Sequence, residues 1–302
     1  MTNQLSEKIL KLKKEKNAII LAHLYQIPEI QEIADYVGDS YYLSQVARDA
    51  KEDLIIFCGV KFMAESAKVL SPEKTVILPA PNAGCPMADM AEVEDVEEMI
   101  KKYPDAFKVC YINSSYEVKA LCDASVTSSS ALNIMNNIPN KQILFLPDQN
   151  LGGYIAEFFP EKEFILWRGF CPTHHRITAE DVLNAKQEHP NVKVLAHPEC
   201  SKEVRELSDY LGSTSGIIDY ATKCEDNEFI IATEEGVLHQ LQKKNPNKKF
   251  YFPEMMVCPN MKKTTLQDIY DALDGKREEV VLDEEIRQKA LTSLENMHKL
   301  GN

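Results

Sequence analysis

LAHLYQIPEIQEIADYVGDSYYL (residues 21–43) and LAHPECSKEVRELSDYLGSTSGI (residues 195–217) fall on one another without a gap when the chain is shifted by 174 residues. Eight of the 23 paired positions are identical. A shift of 86 brings a third, more divergent stretch onto the second: in VCYINSSYEVKALCDASVTSSSA (residues 109–131), Glu117, Val118 and Asp123 meet Glu203, Val204 and Asp209. Residues 57–78, 145–166 and 231–252 also align, so that Pro72, Pro160 and Pro246 coincide, as do Lys74, Lys162 and Lys248. Each copy closes on Cys-Pro, at Cys85, Cys171 and Cys258, with spacings of 86 and 87 residues. Self-similarity at a fixed period means one structural unit used three times.

Each unit alternates short apolar runs with amphipathic ones. In the first, Ala18 to Ala22 is aliphatic and β-branched and reads as a strand. Pro28 opens a helix with Ile30, Ile33, Ala34 and Val37 on one face and Gly38 at its end. Leu54 to Cys58 is a second strand, Met63 to Leu70 a helix stopped before Pro72, and Thr75 to Leu78 a third strand. This β-α-β-α-β order predicts an α/β fold with a parallel sheet covered on both faces and right-handed crossovers. Acidic helices at Val93 to Lys102 and Thr178 to His189 join the copies, and a third at Thr264 to Leu273 has no copy to lead into. The expected organisation is three αβα domains at 1–87, 88–174 and 175–259, related by pseudo-three-fold symmetry, with 260–302 packing back on the first.

A chain of 302 residues exceeds one ordinary core, in keeping with several domains. Its 44% hydrophobic and 27% charged residues are those of a soluble globular protein. A formal net charge of -13 argues against a nucleic-acid or anionic-membrane surface, so anionic ligands must be met locally. The lysine-rich N-terminus, with Leu5, Ile9, Leu10 and Leu12 interleaved, reads as an amphipathic surface helix and not a signal peptide. No apolar run approaches the roughly 18 to 20 residues that span a bilayer. A cytoplasmic location is expected, with the eight cysteines as thiols or metal ligands and not disulfides.

Pseudo-three-fold symmetry brings equivalent positions to one axis, and in parallel α/β sheets ligands bind beyond the carboxyl ends of the strands. His23, Tyr111 and His197 end the first strand of each copy, and Tyr25, Asn113 and Glu199 lie two residues on. Ser40, Ser128 and Thr214 follow the first helix of each copy. The three repeat-end cysteines complete the set, one protein ligand short of a closed metal centre. A 4Fe-4S cluster, which normally takes four cysteines, would then carry one open iron able to act as a Lewis acid. Zinc with a water in the fourth place, or three thiols that only pack behind a turn, fit the same pattern. Cys58, Cys110, Cys122, Cys200 and Cys224 have no counterparts in the other copies and read as packing residues. His174 and His175, also without counterparts, read as supporting residues and not ligands.

The chain resembles the quinolinate synthases over nearly its whole length. The matching features are His23 and Tyr25 followed by Gly38-Asp39-Ser40, then Tyr111-Ile112-Asn113, Thr127-Ser128-Ser129, His197-Pro198-Glu199-Cys200, Gly212-Ser213-Thr214-Ser215, and the three cysteines. The resemblance implies a triangular protein of three Rossmann-like domains with the active site on the central axis. It also implies an oxygen-sensitive transferase that condenses iminoaspartate with dihydroxyacetone phosphate to quinolinate, releasing phosphate and water, in NAD biosynthesis. The implied cofactor is a 4Fe-4S cluster on Cys85, Cys171 and Cys258. Substrate would be held by His23, Ser40, Tyr111, Asn113, Ser128, His197, Glu199, Ser213 and Thr214, with acid-base work by Tyr25, Tyr111, His197 and Glu199. Helix N-termini at Ser128 and Thr214 suit phosphate or carboxylate, and His23 and His197 are expected to add positive character. Transient contact with the enzyme supplying iminoaspartate is a further expectation. Some relatives carry Cys-x-x-Cys-x-x-Cys at the third ligand, where this chain has Met261 and Thr264, so thiol-disulfide control there is not expected. A hydro-lyase on another small acid, or a non-enzymatic iron-sulfur sensor, would be the competing classes.

Overall fold

A computed structural model describes residues 2–253 and 256–301. Its strands form three four-stranded sheets, one per repeat. They are β1 (Ala18–His23), β2 (Tyr36–Gly38), β3 (Leu54–Cys58) and β4 (Thr75–Ile77); β5 (Phe107–Tyr111), β6 (Ala124–Val126), β7 (Gln142–Leu146) and β8 (Glu163–Leu166); and β9 (Lys193–Ala196), β10 (Tyr210–Leu211), β11 (Glu228–Ala232) and β12 (Lys249–Tyr251). The orders are β2-β1-β3-β4, β6-β5-β7-β8 and β10-β9-β11-β12, and every pairing is parallel. In this order the chain reverses direction across the sheet between the first and third strand of each repeat, where a ligand crevice opens.

Alternation along the strands explains how three sheets share one molecule. Ile19, Leu21, Ile55, Phe57, Val109, Ile143, Phe145, Leu195, Phe229 and Ile231 belong to one core common to all three repeats. Their neighbours face outward into three separate cores: Ile20 and Ile56 in the first, Leu144 and Leu146 in the second, Val194 and Ile230 in the third. Both faces of each sheet are therefore apolar, as a parallel sheet requires.

The residues that survive the repeat have identifiable structural work. Asp35, Asp123 and Asp209 each accept a backbone N–H in the first strand, from Ile20, Lys108 and Val194, at 2.8 Å. Each also donates its own N–H to the carbonyl of the same residue. Lys74, Lys162 and Lys248 each donate to two carbonyls where the helix before the third strand of the repeat ends, such as Ala221 and Cys224 for Lys248 at 2.7 and 2.6 Å. The aspartate clamp corrects one expectation. The helix that Pro28 opens stops at Ile33, and Val37 and Gly38 are strand β2, because Asp35 turns the chain into register beside β1. Each repeat consequently holds one more short strand and one more helix than the sequence pattern showed.

The helix Leu266–Leu273 packs on the N-terminal helix Thr2–Glu15 and on β3, closing onto the first repeat. The long helix Glu284–Leu300 goes elsewhere: it lies against β6 and the helix Tyr116–Ala120 of the second repeat, reaching the first through the helix Lys61–Leu70. Asn296 donates to the Asp123 carbonyl at 2.8 Å, and Ser293 meets Ser125 at 2.9 Å. This tail brings polar groups with specific partners in the second repeat, so of 260–302 the helix Leu266–Leu273 lies on the first repeat as expected and the helix Glu284–Leu300 does not. On it, burial pushes the His298 imidazole down to about 4, with Arg48 adding to the effect against Asp49. An unfolded histidine titrates near about 6.5, so below that pH the unfolded chain binds more protons and the native state loses stability. The gap in thermal midpoint between the protein and His298→Gln should therefore shrink as pH is lowered from about 7 to about 4.5; a constant gap would contradict a neutral buried ring.

Candidate active site

One cavity receives residues from all three repeats. Strand β1 ends on His23, whose Nδ1 accepts the Tyr25 N–H at 3.1 Å. Beyond β9, His197 Nδ1 accepts the Glu199 N–H at 3.3 Å, the same bond 174 residues on. Each bond requires a bare Nδ1, so the proton sits on Nε2 and both rings present an N–H donor. His197 Nε2 lies 3.2 Å from Ser128 Oγ. Burial pushes His23 down to about 3 and His197 down to about 4, against the pull of Glu199. The expected positive character of these two histidines is thus corrected: a buried ring with one nitrogen already accepting stays neutral. Among the residues lining the cavity, the exposed Arg176 is the one with a fixed positive charge.

A continuous hydrogen-bonded chain crosses the cavity. The Tyr25 hydroxyl lies 2.9 Å from Thr214 Oγ1 and 3.0 Å from Thr233 Oγ1. Thr233 Oγ1 lies 3.0 Å from His174 Nε2, and His174 Nδ1 is 2.8 Å from Glu199 Oε2. The Tyr111 hydroxyl donates to Glu199 Oε1 at 2.6 Å. Burial pushes Glu199 up, but His174, His197 and the bonds from His174 and Tyr111 outweigh it and hold the carboxylate ionised, below its usual range. Burial, and then the charge of Glu199, pushes the Tyr25 and Tyr111 phenols well above their ordinary value. The cavity therefore sets one proton acceptor between two proton donors, the division of labour that acid-base chemistry needs.

Cys85, Cys171 and Cys258 line the same cavity, each half-buried. Burial, with Cys258 and Glu199 adding to it, pushes Cys85 up to about 12; Cys171 rises through burial, Glu199 and Cys85. The three thiols thus lie within electrostatic reach of one another, Cys258 acting on Cys85 and Cys85 on Cys171. Each sulfur also accepts a backbone N–H from the residue three positions on, Ala88, His174 and Met261 respectively. That repeated donor stabilises a thiolate and fits a soft-ligand metal centre, zinc or iron-sulfur, better than inert packing. Cys171, His174 and Glu199 also place one ligand atom each within 4.8 Å of one another. The histidine and carboxylate there already bond to each other and to Thr233 and Tyr111.

Of the residues singled out from the sequence, His23, Tyr25, Ser40, Tyr111, Asn113, Ser128, His197, Glu199, Thr214 and the three cysteines line the cavity. Asn113 Oδ1 is buried there without a partner among the described residues. Ser213 stands aside: its hydroxyl accepts the Gly216 N–H at 3.1 Å and caps the helix Thr214–Lys223. The equivalent Asp39 and Thr127 do line the cavity. His174 proves central, whereas His175 is exposed and packs on Phe170 at 4.5 Å. Sequence reading missed Thr233, Asp148 and Glu234. A signal existed, since Thr233 and Glu234 directly follow β11 and Asp148 closely follows β7, where the switch-point rule directs attention.

The chain matches the family model described as Quinolinate synthetase A protein over residues 7–299. It is 60% identical over 302 residues to the quinolinate synthase of Clostridioides difficile (strain 630), covering 100% of this chain and 99% of that protein. It is 61% identical over 296 residues to the quinolinate synthase of Clostridium perfringens (strain SM101 / Type A), covering 98% of each. The quinolinate synthase of Caldicellulosiruptor bescii is 56% identical over 298 residues, again with 98% of each chain covered.

Proposed function

Because the chain belongs to the quinolinate synthetase A family, we propose that it condenses iminoaspartate with dihydroxyacetone phosphate to quinolinate, releasing phosphate and water, as a step of NAD biosynthesis. The observation that carries this reading is one cavity in which three repeat-equivalent cysteines meet an ionised Glu199 flanked by the hydroxyl of Tyr111 and, through His174 and Thr233, by that of Tyr25. Cys85, Cys171 and Cys258 would hold a 4Fe-4S cluster, which would supply Lewis-acid chemistry for a departing hydroxyl.

The chain's own groups account for the rest. Triose isomerisation and two dehydrations each move a proton from carbon to oxygen or back. Glu199 accepts such a proton, and Tyr25 and Tyr111 return one to a leaving oxygen. His23 and His197 offer neutral N–H donors to carboxylate oxygens, a role that does not require the positive charge withdrawn above. Asn113 Oδ1, lacking a partner among the described residues, suits the imine or amine N–H of the substrate. Ser40, Ser128 and Thr214 supply hydroxyls for carboxylate or phosphate, and Arg176 adds fixed charge; Ser213 contributes by holding the helix behind Thr214. The repeats at 1–87, 88–174 and 175–259 act as the three structural units around this site. A reduced, cytoplasmic setting and sensitivity to oxygen follow from an open cluster on thiolates, and a transient encounter with the enzyme that makes unstable iminoaspartate fits the need to deliver it.

The test is direct. Anaerobically prepared protein, given dihydroxyacetone phosphate and iminoaspartate generated in place, should form a product with the ultraviolet absorbance and chromatographic retention of quinolinate. A full cluster with no pyridine product would remove this reading and leave a hydro-lyase acting on another small acid.

A further inference from the structure

The backbone before each cysteine is stapled in the same way three times. Lys61, Gln149 and Glu235 donate their N–H groups to the carbonyls of Ala83, Gly169 and Met256, at 2.8, 2.8 and 2.9 Å. Each carbonyl stands two residues before its cysteine, and each donor stands just past the third strand of its repeat. The residue before each donor is Val60, Asp148 or Glu234, again at the repeat spacing.

Two of those three are carboxylates, both fully buried. Glu234 Oε1 accepts the Cys258 N–H at 3.0 Å while its Oε2 accepts the Gly236 N–H at 2.7 Å. Lys262 Nζ stands 2.9 Å from Oε1 of the same carboxylate and donates to the Tyr25 carbonyl at 2.8 Å. Asp148 Oδ1 accepts the N–H groups of Asn150 and Leu151 at 2.7 and 2.9 Å, while Oδ2 is buried without a hydrogen-bond partner among the described residues, with the Cys171 N–H acting on the carboxylate from nearby. Capping the following helix would need only a serine or threonine oxygen. Burying a carboxylate is far more demanding; here Glu234 commits one oxygen to the N–H of the cysteine of its own repeat, and Asp148 leaves one oxygen free where the N–H of its own repeat's cysteine acts on it. Fixing the N–H of a cysteine fixes its φ and therefore the direction in which Sγ leaves the main chain. The first repeat, with Val60, keeps only the staple.

On the reading of the cysteines given above, we propose that Asp148 and Glu234 are positioning residues that hold the main chain of the metal-bearing Cys171 and Cys258. The carboxylates act through the cysteines and touch no substrate atom in this role. Outer residues that orient metal ligands typically contribute about 10- to 100-fold in metal affinity, and that is the effect expected here.

The experiment measures how fast a ferrous chelator strips iron from anaerobic holoprotein, for the parent and for Asp148→Asn, Glu234→Gln and the half-buried control Glu228→Gln, whose partners are Lys249 and Tyr251. Iron should leave the first two variants roughly 10- to 100-fold faster, with the control like the parent and the far-ultraviolet circular dichroism of all four unchanged. A variant that folds yet takes up no cluster is the same result at its limit. Should Glu234→Gln not fold, Glu234→Asp keeps the charge beside Lys262 and withdraws the oxygen from Cys258, and should still release iron faster. Equal release rates in parent and pin variants would overturn the proposal. A parent that holds no iron and sulfide at all would instead remove the cluster reading on which it rests.

Discussion

Cys85→Ala, Cys171→Ala and Cys258→Ala should each abolish both the cluster and quinolinate formation, whereas Cys58→Ala should keep both. The three half-buried thiols open on one cavity and accept equivalent backbone N–H groups. Cys58 faces the outer core of the first sheet, fully buried among Ile20, Ile56 and Ile77, where burial alone pushes its thiol far up. Removing its sulfur leaves a small cavity and a stability loss on the order of 1 to 2 kcal/mol, with no ligand lost. Anaerobic protein should contain about four irons and four labile sulfides per chain, since three cysteines and one open iron make a cubane of that composition. Iron and sulfide assays beside turnover decide it. Zinc without sulfide in the parent, or equal loss of metal in Cys58→Ala, would break the ligand assignment.

Tyr25→Phe and Glu199→Gln should each lower turnover by at least roughly 10²-fold, the low end of what one positioned acid-base group supplies. Phe keeps the ring that packs edge-on against His23 at 4.5 Å and loses only the hydroxyl between Thr214 and Thr233. Those two threonines then lose one partner each, a loss of about 1 kcal/mol that should not unfold the protein. Gln at 199 keeps the shape but turns an ionised acceptor of two donors, Tyr111 and His174, into a neutral amide that must offer an N–H to one of them. Both variants should load a full cluster. Near-normal turnover with a full cluster in either would make that residue a bystander and pass its role to Tyr111 or His197.

Tyr25 and Glu199 occupy one repeat position with different side chains. No direct hydrogen bond joins them among the described residues. Their connection runs through Thr233 and His174, contributed by β11's end and by the helix Pro172–His175. His174 has no counterpart after Cys85 or Cys258, so a comparison of copies could only set it aside. Its importance comes from being carried, by the turn that Cys171-Pro172 begins, to the place where the second and third repeats meet.

Legible in the sequence alone were the number of units, their α/β character, the convergence of equivalent strand ends and which three cysteines line the cavity. Those properties are periodic: apolar alternation follows from side-chain direction along a strand, and a repeated residue at a repeated spacing must occupy a symmetric place. The short second strands, the second-repeat seat of the helix Glu284–Leu300, the neutral state of His23 and His197 and the carboxylates behind Cys171 and Cys258 were decided only in the tertiary structure. Each of these depends on how much water is excluded and on which groups arrive from far along the chain, such as Thr214, 189 positions from Tyr25. Charge state and partnership are properties of the assembled cavity, and no single stretch of sequence carries them.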